Sequence, residues 1–258
     1  MFGTRRRHEL ETGPFYKQGR WVQSALFLAF LVVMALVATV SKDGSKEVAA
    51  DSARTLAGVR GPLSPGDPQH VRTGPGGRPA DCRTDDRDTA VPTVAPRDVR
   101  WRQSGAVMLP VSAQAGPLRT DPSMWWCFAH TPLGAVLAAH TVPIGTSGAH
   151  WRTVAEQQLV PGTARDRFVR RKAAAPTTDP DTSSVGRFAG FAVDAYGTGT
   201  ATVRLLLTNP LGGYLSTSVG LRWRDGDWKV ALQDDGSLYS AASQTQSNGF
   251  VMWGSVTR

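Results

Sequence analysis

Cysteine is nearly absent from this chain: two residues, Cys82 and Cys127, in 258. They form no Cys-x-x-Cys pair, so neither dithiol redox catalysis nor a thiolate zinc site is indicated. Gly-x-x-x-x-Gly-Lys is missing, which argues against nucleotide hydrolysis by this chain, and so is His-Glu-x-x-His. Gly197-Thr-Gly-Thr is a glycine-rich turn that lacks the third glycine of a dinucleotide loop. Gly145-Thr-Ser147-Gly-Ala149 approaches a nucleophile elbow but ends in alanine. Only five histidines are present. His130, His140 and His150 fall ten apart, a spacing that shares no helix face, and apart from Cys127 they have no set of carboxylates or thiolates nearby. The chain is therefore read as non-enzymatic, with no cofactor and no metal.

What is present begins with residues 21–40, WVQSALFLAFLVVMALVATV, a run without charge. A helix of this length spans roughly 30 Å, the hydrocarbon thickness of a bilayer, and inside lipid helix is the form that satisfies its own backbone. Trp21 stands where an interfacial anchor belongs. Arg5, Arg6, Arg7, Lys17 and Arg20 precede the run, while Lys42 and Lys46 are the close basic residues after it. The positive-inside rule places residues 1–20 in the cytoplasm as a basic tail. A cleaved signal peptide fits less well, because the apolar core is too long and Ala38-Thr39-Val40-Ser41 is a poor cleavage site.

Beyond residue 40 the balance is mild, with 24 basic residues against 19 acidic. Arg165, Arg167, Arg170, Arg171 and Lys172 cluster with only Asp166 to relieve them, a candidate interaction patch or else a solvated helix face. Direct nucleic-acid binding is not expected. Both cysteines fall on the outer side, where an oxidising compartment favours a Cys82–Cys127 disulfide over two buried thiols.

Residues 41–97 hold no apolar periodicity. Gly61-Pro-Leu-Ser-Pro-Gly-Asp-Pro and Thr73-Gly-Pro-Gly-Gly-Arg-Pro read as a flexible linker with an end-to-end reach of about 40 Å, although part of 80–97 packs on the domain if Cys82 is bridged. The extracytoplasmic domain is assigned to 98–258. Val99-Arg-Trp and Ala106-Val-Met-Leu suggest edge strands. Thr131-Pro132 opens a helix, with Leu133, Val136, Leu137 and His140 at helical spacing. Shorter helices are expected over 151–159 and 164–172. The period then turns to two in Phe188–Ala195, Ala201–Leu207 and Leu215–Trp223, and Asp225-Gly226 signals a two-residue hairpin leading to Trp228, Val230 and Leu232. Helices before consecutive antiparallel strands predict an α+β fold, with helices packed on a curved antiparallel sheet.

That order, closing on Leu221-Arg-Trp-Arg-Asp-Gly-Asp-Trp-Lys-Val230, resembles the cystatin-like fold of the nuclear transport factor 2 superfamily. A narrower likeness covers about residues 80–258. Asp81-Cys82, Thr89-Ala-Val-Pro-Thr-Val-Ala-Pro96, Cys127-Phe-Ala-His-Thr-Pro-Leu-Gly-Ala-Val-Leu-Ala-Ala139, Leu232-Gln-x-Asp-Gly-Ser-Leu238 and Gly249-Phe-Val-Met-Trp-Gly254 carry it. They resemble an uncharacterised actinobacterial family of membrane-anchored proteins often encoded with conjugation ATPases. Met252 departs from the proline common before that tryptophan. The resemblance implies a bitopic scaffold subunit of a type IV secretion-like transfer machine. Its partners would be the lipid bilayer and other conjugation proteins, with self-association left open. The alternative is a cell-wall binding module, or an enzyme using a cone-shaped pocket in which Asp194 and His140 meet. Trp125, Trp126, Trp151, Trp223 and Trp228 are assigned to core or interface.

Overall fold

The first long apolar strand signal, Phe188 onward, opens the largest sheet among the described residues. The computed structural model describes residues 61–64, 78–175 and 187–254. The basic tail and the apolar run of 21–40 lie outside the described residues. Among the described residues no helix is long and apolar enough to cross a membrane.

β1 (Val99–Ser104) and β2 (Val107–Ser112) form one antiparallel hairpin, and β3 (Arg119–Asp121) and β4 (Met124–Trp126) a second. α1 (Pro132–Gly145) follows. The Thr131 hydroxyl accepts the Gly134 N–H at 3.1 Å, and proline occupies the first turn, where its missing N–H costs nothing. Alanines at 135, 138 and 139, all fully buried, let the helix be covered on nearly every side. Gly134 is needed at its start, since a Cβ there would lie 2.0 Å from the Ala129 carbonyl oxygen. α2 (Trp151–Gln158) and α3 (Thr163–Ala174) complete the helices.

The large sheet runs β10-β5-β6-β7-β8, all antiparallel, from β5 (Phe188–Gly197), β6 (Thr200–Thr208), β7 (Tyr214–Arg224), β8 (Asp227–Ala231) and β10 (Val251–Met252). β9 (Ser243–Thr245) pairs with the start of β7. Register places Val203 opposite Val219 and Leu205 opposite Thr217, while Leu221 faces Val230 and Trp223 faces Trp228. Period-two alternation thus lays one apolar face against α1, where each fully buried large side chain contributes about 1.5–3 kcal/mol.

Two expectations require correction. Strands outnumber helices ten to three among the described residues, four of those strands precede the first helix, and two hairpins stand apart from the main sheet. α1 lies against β2 and β4 as well as β5–β8. The fold is thus mostly antiparallel sheet arranged around one buried helix, and not helices laid on a curved sheet in the nuclear transport factor 2 manner. The early strands are three to six residues each, too short to show a period of their own. The second correction concerns 41–97, expected as linker. Its described parts belong to the domain: Cys82, expected to pack there if bridged, joins the core, and so do Leu63 and the buried Arg78 from the stretch read as tether.

Candidate functional site

Asp225 and Gly226 carry the expected turn, both at positive φ, 55° and 81°, as a two-residue turn between right-twisted strands demands. Gly226 has a second reason: a Cβ there would stand 2.9 Å from the Arg78 backbone. The turn delivers Asp227, the first residue of β8, into the interior with no solvent exposure. Its carboxylate accepts N–H groups from Cys127 at 2.8 Å, Phe128 at 3.0 Å and Trp228 at 2.9 Å. Burial pushes its carboxyl up to about 6, against the pull of those peptide N–H groups and of the Arg78 guanidinium. Cys127 sits at φ 72°, a conformation uncommon for a side-chain-bearing residue. It is held from two directions, by Asp227 on its N–H and by a disulfide to Cys82, with Cα atoms 5.5 Å apart.

Around this pair further segments converge. Arg78 is 2% exposed and pairs with Asp86 at 3.1 Å, donates to Thr84, and lies over the Trp223 ring at 4.7 Å. Asp86 also accepts the His130 N–H at 2.8 Å. The His130 ring stacks on Trp223, centroids 3.9 Å apart, and its Nε2–H donates to the Thr198 carbonyl. Tyr196 Oη donates to the His130 carbonyl at 3.3 Å, and Trp228 Nε1 to that of Ala129 at 2.9 Å. Residues 78–86, 127–130 and 196–198 are thereby fastened to the β7–β8 hairpin. A general base must reach a substrate proton, and Asp227 is enclosed by three donors of the fold. The chemistry of this corner is that of a clamp.

The remaining sequence candidates separate in space. His140 donates Nδ1–H to Val136 O at 2.8 Å and accepts Trp253 Nε1–H on Nε2 at 3.1 Å. Burial lowers it to about 4, opposed by the Val136 bond, so it is neutral near pH 7. Asp194 instead pairs with Arg204 at 2.8 Å on exposed ground, so the expected Asp194–His140 meeting does not occur. In the arginine cluster, Arg167 donates to the Asp234 carbonyl, and Arg171 to those of Asp235 at 3.1 Å and Gly236 at 2.8 Å. Arg165 pairs with Glu156 at 3.2 Å. Three of the five cations of the expected interaction patch thus have partners on α2 or the 234–236 turn, Arg167 while remaining exposed. Arg170 and Lys172 remain half-buried at its edge. Trp126, Trp151 and Trp228 are buried and Trp125 and Trp223 half-buried, and all five pack within or against the core. Among the described residues no group of three or more His, Cys, Asp or Glu is placed to hold a metal.

Residues 64–252 match a family described as Domain of unknown function (DUF8175). The chain belongs to that family. No curated protein and no solved structure matches it. The DUF8175 span holds both cysteines and the whole Asp227 clamp, and it begins well before residue 98, in agreement with the buried Arg78 and Cys82. Asp86 and Asp227 escape a sequence reading because the N–H groups they accept lie 44 and 100 residues away, and Arg78 because the ring it covers is Trp223. The one local signal is Asp-Gly-Asp at 225–227, whose first two residues read as a turn and whose third is the anchor.

Proposed function

We propose that this DUF8175 chain is a non-catalytic, membrane-anchored scaffold subunit of a conjugative, type IV secretion-like DNA-transfer apparatus, with its folded domain outside the membrane. The observation that carries the non-catalytic part is the use made of its buried ionisable groups. Asp227 and His140 each hold a remote piece of the chain in place, and Arg78 lies over the remote Trp223 ring, as a rigid platform requires. The Cys82–Cys127 disulfide supports an oxidising, extracytoplasmic location, and the uncharged run of 21–40 supports an anchor. The likeness over residues 80–258 supports the conjugative setting. The test is deletion of the gene in a host carrying the transfer element. Transfer frequency should fall by orders of magnitude and return when the full chain is supplied. Transfer at the wild-type frequency overturns the reading, and binding of the protein to wall polymer in its place would make it a wall module.

A further inference from the structure

Gly61–Ser64 makes contacts of the kind a bound peptide makes. The four residues close a turn, Ser64 N–H to Gly61 O at 3.0 Å and Gly61 N–H to Ser64 Oγ at 3.2 Å. Pro62 stands at its second position, where its fixed φ favours the turn before any contact forms. Leu63 at the tip is fully buried. Its two peptide groups are read by side chains of distant elements. The Leu63 N–H donates to Gln157 Oε1 of α2 at 2.9 Å, and Lys229 Nζ of β8 donates to the Leu63 carbonyl at 3.3 Å. Gln157 Nε2 reaches Ser64 Oγ at 2.5 Å. A Cβ on Gly61 would lie 2.9 Å from Gln157 Oε1, so a larger residue there would have to displace the end of that side chain. Gln157 and Lys229 are 0% and 1% exposed, and Lys229 is held by Asp225 at 2.7 Å.

With the turn in place the receiving side presents an amide and an ammonium, both buried and aimed at its main chain, and an apolar seat for one side chain. Main-chain contacts supply affinity and the leucine supplies selectivity, the division seen in peptide recognition generally. The family match includes Gln157 and Lys229 but begins one residue past Leu63, so the seat lies inside the shared domain and the leucine outside it.

We propose that Gln157, Lys229 and the core beneath them form a docking site for a Gly-Pro-Leu-Ser turn, and that residues 61–64 of the same chain occupy it as a reversible latch. Attachment in cis gives the turn an effective concentration on the order of millimolar, so a free peptide meets a filled site. Removing the leucine opens it.

The experiment uses the full-length chain with Leu63→Ala and a fluorescent peptide of residues 59–68. Anisotropy should show the peptide binding the variant at least ~10-fold more tightly than the wild type. The same peptide with Asp in place of its leucine should not bind. No preference for the variant, with its thermal transition intact, overturns the proposal. Hydrogen exchange on the wild type decides the case in which Leu63→Ala does not fold. A latch requires the Leu63 amide to exchange through local opening, faster than the amides of Val203 and Val219. Exchange of all three only through global unfolding makes 61–64 an ordinary piece of the core and rejects the latch.

Discussion

At the β8 edge of the large sheet the sealing groups are Asp227, Arg78 and Lys229, each bearing a formal charge. At the β10 edge they are His140 and Trp253, neutral and joined by one hydrogen bond. The number of segments each edge gathers explains the contrast. The charged edge receives residues 61–64, 78–86 and 127–130 from three separate stretches of chain. A buried charge is tolerated only with several partners, so each charge there fixes several backbones at once. The β10 edge receives the single short piece Val251–Trp253, which has strand pairing with β5 and the Trp253 N–H on Ala189 O to hold it. One neutral acceptor is enough for the indole. Charge at an edge, in this fold, marks where remote chain must be specified.

The largest effect should come from cutting the covalent part of the charged edge. Cys82→Ser with Cys127→Ser releases a closure of 45 residues. In the chain-entropy account this costs about 4 kcal/mol, and it frees a residue held at positive φ. Calorimetry should show a fall in Tm of roughly 8–16 degrees, with no shift on adding reductant. A wild-type protein insensitive to reductant, or a double variant within a degree or two of it, would mean the Asp227 clamp alone holds residues 78–86.

How far this contrast was legible in the sequence depends on where each partner lies. The Asp225-Gly226 turn, the Thr131 cap and the alternation of Val203, Leu205, Val219 and Leu221 are local, and each is found where its pattern placed it. The cysteine pair followed from compartment chemistry and scarcity. The helix-on-sheet expectation fails because the period-two signal is strong only after residue 188, while β1–β4 are too short to weigh against the helical signals of 131–172. Gly61-Pro-Leu-Ser reads as linker because glycine and proline break regular structure. Those same residues also build the turn that seats Leu63, and nothing adjacent in sequence distinguishes the two uses. His140 shares the helical spacing of Val136 and Leu137, but its acceptor role depends on Trp253, 113 residues on.

The two edges should also answer pH with opposite sign. His140 titrates near 6.5 when unfolded and near 4 when folded, so between those values the unfolded chain binds more protons and stability falls as pH falls. The contribution of this residue is on the order of 3 kcal/mol across the window. His140→Gln keeps an acceptor for the Trp253 indole and removes the titration. Relative to wild type, its stability should therefore improve steadily on going from pH 7 to pH 4.5 in urea unfolding. A gap between the two proteins that stays constant with pH would show that His140 is charged or solvated in the folded state.

Asp227 gives the smaller change at neutral pH and the mirror-image slope. Its folded value of about 6 lies above the 3.8 of an unperturbed aspartate. Between those values the folded chain binds more protons, and stability falls as pH rises. Asp227→Asn retains one carbonyl oxygen for the Phe128 and Trp228 N–H groups but turns an amide N–H towards the Cys127 N–H, which loses its acceptor, at a cost of about 1.5 kcal/mol at pH 7. On acidification from pH 6 to pH 4 the wild type gains from protonating its aspartate and the variant does not, so the deficit should widen. If it narrows, the peptide N–H groups and Arg78 outweigh burial, and the Asp227 carboxylate titrates below its ordinary value. The β8 edge would then be stabilised by its charge at neutral pH and no longer oppose the β10 edge.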